Sequence, residues 1–140
     1  MKWLEQQEGN VIVEFIGITV ALLIPISVIA NASLMVANAY LTTDIAARNA
    51  ARAFVISSSD ASGRRAVNAA AQLAARDFNS SDSAVVTNVL CTHNPCLSPG
   101  GYVTVRIDKN VNLNLPRVFG PRTVVVTSHH TLVVDELRAP

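Results

Sequence analysis

Gly9-Asn10-Val11-Ile12-Val13-Glu14-Phe15 opens the part of this chain whose reading decides its architecture. From Phe15 through Thr43 no charged residue occurs, so Glu14 is a lone carboxylate at the start of a long apolar run. About twenty apolar residues rising ~1.5 Å each match the ~30 Å hydrocarbon layer of a bilayer. A charge carried to mid-membrane costs roughly 2.5–3.5 kcal/mol, so an ionisable residue in such a setting is a functional candidate by default. The run from Val11 to Ala39 is broken only by small or polar residues and by Pro25. Pro25 removes one backbone donor and is expected to bend the helix, which membrane helices tolerate.

Composition agrees with an anchored protein. Half of the 140 residues are hydrophobic and 15% are charged, and the apolar share is carried by Ala and Val rather than by aromatics. A formal net charge of +1 recommends neither a nucleic-acid partner nor an acidic substrate. A general secretory signal would have a shorter apolar core and a small-residue cleavage site. Here the leader carries Glu5 and Glu8 beside Lys2, and Ala30-Asn31-Ala32 is the nearest approach to such a site. Lys2 on one side faces Arg48 and Arg52 on the other, so positive charge does not fix the orientation.

Gly9, then Val13-Glu14-Phe15 and a long apolar helix, resembles the processing site of type IV prepilin-like proteins. More narrowly it is similar to the TadE-like minor pilins, or pseudopilins, of the tight-adherence (Tad/Flp) pilus. The resemblance rests on Gly9–Phe15 and the helix to about Phe54. It implies a leader over residues 1–9, a transmembrane and stalk helix over 10–56, and an extracytoplasmic α+β head over 57–140. It also implies cutting by a prepilin peptidase between Gly9 and Asn10, with Glu14, followed by Phe15, pairing with a freed N-terminal amine. Partners would be that peptidase, the membrane, and other pilins or assembly proteins reached through the helix. The implied location is the cytoplasmic membrane, single-pass, with the head outside and possible incorporation in a surface pilus. An unpaired carboxylate in low dielectric is costly, and a partner cation recovers part of that cost. The plainer alternative is that Glu14 caps a helix start, where the dipole favours an anion.

Beyond Thr43 the helix becomes amphipathic. Asp44 and Arg48 stand at i,i+4 in the favourable order, and Ala46, Ala47, Ala50, Ala51 and Ala53 form small faces. Small faces suit lateral helix packing, and alanine is also simply a good helix former. Ser57–Gly63 reads as a break with capping residues, followed by a second Ala-rich helix from about Arg64 to Asp77. Its face carries Val67, Ala70, Ala71, Ala74 and Phe78. A polar loop, Asn79–Ser83, ends it.

After Ala84 the pattern turns to strands. Val85–Leu90 is β-branched, Tyr102–Asp108 alternates with period two, and Val111–Leu115 alternates as a further short strand. Thr123–Val134 reads as a last long strand with a possible break near Ser128. Turns fall at Pro99-Gly100-Gly101 and Gly120-Pro121. The expected fold is thus α+β and type IV pilin-like: a long helix, a second helix, and an antiparallel sheet of three to four strands covered by the second helix.

Cys91-Thr92-His93-Asn94-Pro95-Cys96 joins the first two strands. In an exported head a disulfide is the natural expectation, and Asn94-Pro95 supplies turn chemistry. Other readings are a metal site using Cys91, Cys96, His93 and one of His129 or His130, or two free thiols. The paired spacing of a zinc site is missing. Cys91 with His129 lacks an acid to orient the base, Asp135 and Glu136 lie in a charged end, and the glycines are scattered. No catalytic residue, metal site, cofactor or small-molecule substrate is therefore expected.

Overall fold

The computed structural model describes residues 8–77, 85–113, 115–116 and 120–137. α1 (Glu8–Val55) is one helix and continues through Pro25. Contacts divide the chain into two compact units, Met1–Leu34 and Met35–Pro140. The first consists, where described, of the apolar part of α1. The second is the α+β head, to which the last turns of α1 belong.

In the head, α1 is followed by α2 (Asp60–Asp77), β1 (Val85–Cys91), β2 (Tyr102–Leu113) and β3 (Arg122–Val133). The strands form one antiparallel sheet in the order β1-β2-β3. Its register sets Val89 against Val105 and Val105 against His130. Alternate β2 residues Val103, Val105, Ile107, Lys109 and Val111 point to the buried face. Against them lie Ala46, Ala47, Ala50, Ala51 and Phe54 of α1 and Val67, Ala71 and Ala74 of α2. The second helix does cover the sheet, running along β1, where the Thr87 hydroxyl donates to Asn68 Oδ1. It shares that task with the end of α1.

The alanines of α1 thus acquire a definite use. Ala47, Ala50 and Ala51 are fully buried within their own head, so their small faces are not free to pack another copy. Asp44 and Arg48 form the expected ion pair at 3.0 Å, on the exposed side, where such a pair is worth a few tenths of a kcal/mol.

Three sequence expectations need correction. α2 begins at Asp60 rather than Arg64, because Ser59 caps it: the Ser62 amide donates to Ser59 Oγ at 3.3 Å and the Gly63 amide to the Ser59 carbonyl at 2.8 Å. Gly63 is therefore inside the helix, not in a break. A Cβ there would stand 2.8 Å from Phe54 Cδ2, so its missing side chain is the notch that seats the Phe54 ring. The segment from Val111 is no separate strand; β2 runs unbroken to Leu113 because Lys109 and Asn110 stay in register opposite Val126 and Val125. β3 likewise passes through Ser128 without interruption. That residue is buried opposite Ile107, and its hydroxyl donates to Asp44 Oδ1 at 3.3 Å, satisfying a polar group that sequence alone reads as a breaker. The described residues therefore hold three strands. The expectations for Phe78 and the Asn79–Ser83 loop lie outside the described residues.

Candidate functional site

Two places in the molecule carry residues that the sequence singles out. The first is the start of α1. From Val11 to Leu34 almost every side chain is exposed, among them Phe15 at 70% and Ile24 at 58%. Within this stretch three polar side chains turn back onto the helix itself. Thr19 Oγ1 donates to the Phe15 carbonyl, Ser27 Oγ to Leu23 and Asn31 Nδ2 to Ser27, each at 2.8 Å. Such i−4 bonds satisfy polar groups where water is scarce.

Glu14 has no comparable arrangement. Its carboxylate is exposed and has no hydrogen-bond or ion-pair partner among the described residues. α1 already runs through Glu8, Gly9 and Asn10, which places Glu14 beyond the first turn. The helix dipole acts within that turn, so simple capping does not account for the residue in the uncut chain. Gly9 and Asn10 are helical, and Phe15 lies on the exposed surface next to Glu14.

The second place is the loop between β1 and β2. Cys91 and Cys96 form the expected disulfide, with a Cα–Cα distance of 5.2 Å. Closing so short a loop contributes about 2 kcal/mol on the chain-entropy account. With the sulfurs bonded to each other, the metal and free-thiol alternatives for this pair lapse. His93 contacts Thr92 Oγ1 at 3.0 Å, His129 faces outward opposite Arg106, and His130 is half-buried opposite Val105. The described residues contain no cluster of three potential metal ligands.

Sequence reasoning missed what holds this loop in place. The Asp60 carboxylate accepts the amides of Cys96 (2.9 Å) and Leu97 (3.3 Å), tying the loop to the first turn of α2. Leu97 is thereby held against the core, while Gly100 and Gly101 exchange backbone bonds with Val134. Gly100 takes φ of +71°, which only glycine adopts without strain. Ser59-Asp60 is legible as capping chemistry, but nothing in the sequence links it to Cys96, thirty-six positions on.

On the outer sheet face, Arg106 donates to Asp108 Oδ1 at 3.0 Å and the Thr127 hydroxyl donates to the same atom at 2.5 Å. The Thr127 bond, with help from Arg106, holds the Asp108 carboxyl below its ordinary value against an opposing effect of burial. On the inner face, burial pushes the Lys109 ammonium pKa down.

The fold and these features define a class: an apolar helix long enough to cross a membrane, continuing into a small disulfide-closed α+β head. No protein-family model, curated protein or solved structure matches the chain.

Proposed function

We propose that the protein is a non-enzymatic minor pilin or assembly component of a Tad/Flp-type pilus. In this reading a prepilin peptidase cuts after Gly9, and the helix from Asn10 anchors the chain in the cytoplasmic membrane with the head outside. The observation that carries it is Glu14: a lone exposed carboxylate opening a charge-free helical stretch in which Thr19, Ser27 and Asn31 bond to their own backbone. A neighbouring N-terminal amine is the natural partner for that charge in low dielectric, and the pairing would fix the register of packed helices. Lateral packing then falls to Val11–Leu34, since the alanine face farther along α1 is taken by the head.

A second reading has one observation in its favour. Asn88, Arg106 and His129 stand in a single row across the exposed face of the sheet, a polar surface suited to a tethered binding module. N-terminal sequencing of the protein from its native membrane separates the two. A chain starting at Asn10, together with loss of assembly in Glu14→Ala, supports the pilin reading. A chain starting at Met1 turns the helix into an uncleaved signal-anchor and favours the binding module. A start near Ser33 removes the membrane helix and rejects both.

A further inference from the structure

Within the head, α1 and β2 run in opposite directions. The start of β2 (Val103, Val105, Ile107) shares a core with Ala46, Ala50 and Phe54 of α1. Its far end, through Val111, shares a second cluster with Ala39 and Val126, joined by Met35, Val36 and Leu113. The end of the β2–β3 ribbon at Leu113 and Arg122 therefore lies at the end of the head where Met35 begins it. At this end apolar residues of β3 are exposed. Val124 is 37% and Val125 59% exposed, and Arg122, opposite Leu113, is exposed beside them.

Two further observations say what covers this end. The first is charge: from Lys109 through Val134 the sequence has no acidic residue. The second is position along the chain. Counting from Phe15, about twenty residues of helix traverse the hydrocarbon layer, which brings the helix to its outer boundary near Met35. The carboxylates of the neighbouring rows are already engaged, Asp108 by Arg106 and Thr127 and Asp44 by Arg48 and Ser128. Valines flanked by a guanidinium have the chemistry of a bilayer interface, where apolar groups enter and cations meet phosphates.

Resting on the membrane-anchor reading of α1, we propose that the β2–β3 end of the head docks on an anionic lipid surface. Val124 and Val125 enter the boundary between headgroups and acyl chains, and Arg122 pairs with lipid phosphate. A second copy is the less suitable occupant. Two β3 edges paired antiparallel about a two-fold axis normal to the sheet would point their α1 helices in opposite directions, which two chains anchored the same way in one membrane cannot do.

The test places single tryptophans in the full chain, in a Trp3→Phe background, reconstituted into phosphatidylcholine/phosphatidylglycerol vesicles containing brominated lipids. Val125→Trp, Ile24→Trp in the middle of the apolar stretch, and Ile56→Trp at the opposite end of the head are compared; all three positions are exposed. The expected result is bromine quenching at Val125→Trp and Ile24→Trp and none at Ile56→Trp. Adding Arg122→Glu is expected to reduce the Val125→Trp quenching about two-fold or more, in line with the pull of one basic residue on an anionic surface. Quenching at Ile24→Trp without quenching at Val125→Trp overturns the docking and leaves the membrane anchor standing. Absence of quenching at both removes the anchor reading and the docking with it. Val125→Trp quenching indifferent to Arg122→Glu overturns the assignment of Arg122 to phosphate.

Discussion

The two parts of α1 belong to one continuous helix and meet opposite fates. Val11–Leu34 leaves Ile, Leu and Val side chains exposed along its length, whereas Met35–Val55 buries Ala46, Ala47, Ala50, Ala51 and Phe54. The difference is not hydrophobicity, since the exposed part is the more apolar. It lies in side-chain size and charge. Beyond Thr43 small alanines let a sheet approach on one side, while Arg48 and Arg52 mark the other for water. The earlier part carries bulky apolar residues all round, a pattern that calls for an apolar surrounding rather than one apolar partner. An apolar residue in this chain is thus read by what flanks it at helical spacing.

The comparison breaks most visibly at Phe54. It is the largest fully buried side chain of the head, seated against Gly63. Phe54→Ala is expected to remove about 3–5 kcal/mol of head stability. Denaturant unfolding in detergent, followed by circular dichroism, measures this. A loss under about 1 kcal/mol would mean that the end of α1 is not a core element.

A substitution in the other part of the helix should do the reverse. Ile24→Lys puts a charge in the middle of the exposed stretch, where insertion is disfavoured by roughly 3 kcal/mol. Membrane fractionation is expected to show a large drop in the integrated pool. The unfolding midpoint of the head should stay within error, because Ile24 lies outside the head's compact unit. A matching loss of head stability would show that the two regions are not independent.

How much of this was legible beforehand follows from the range of the interactions. The apolar stretch, the i,i+4 pair Asp44–Arg48, the alternation of Tyr102–Asp108 and the Cys91–Cys96 link are set by residues near in sequence, and periodicity exposes them. The continuity of β3 through Ser128 and the Asp60 tether depend on partners far along the chain, Asp44 for Ser128 and Cys96 for Asp60. The early start of α2 is a local cap at Ser59, masked in the sequence by Gly63, which reads as a breaker until the Phe54 ring is seen against it. A buried serine looks like a break until its hydrogen-bond partner is known. At the start of α1, the position of Glu14 was evident from sequence, and the structure adds that it stands past the first turn.

Gly63 sharpens the comparison from within the head. In an exposed helix Gly→Ala raises stability by up to about 1 kcal/mol. Here the new Cβ would press on the Phe54 ring at 2.8 Å, and a well-packed core resists such insertion by about 1–3 kcal/mol. Gly63→Ala is therefore expected to lower the unfolding midpoint, by about 1 kcal/mol after the gain in helix propensity. Combined with Phe54→Ala it should turn neutral or favourable, since the ring it meets is gone. A midpoint that rises in Gly63→Ala alone would show that the ring moves aside freely.

The smallest effect tests the outer face of the sheet, which owes nothing to either part of α1. Asp108 has its folded-state pKa held below the ordinary 3.8, first by the Thr127 hydroxyl and then by Arg106. A carboxylate depressed in this way stabilises the head at pH values above its unfolded pKa, and that contribution is lost as pH falls through the folded value. Thr127→Val keeps the β-branched shape and removes the principal donor, so the Asp108 pKa should move back up. At neutral pH the variant is expected to be less stable by at most about 1 kcal/mol, since the pair is partly open to water. The gap between wild type and variant should narrow as pH drops from about 5 toward 2, because a protonated Asp108 no longer distinguishes the two proteins. Denaturant midpoints across that range measure the narrowing. A gap that stays constant with pH would mean that Thr127 supports the strand by packing rather than through the charge on Asp108.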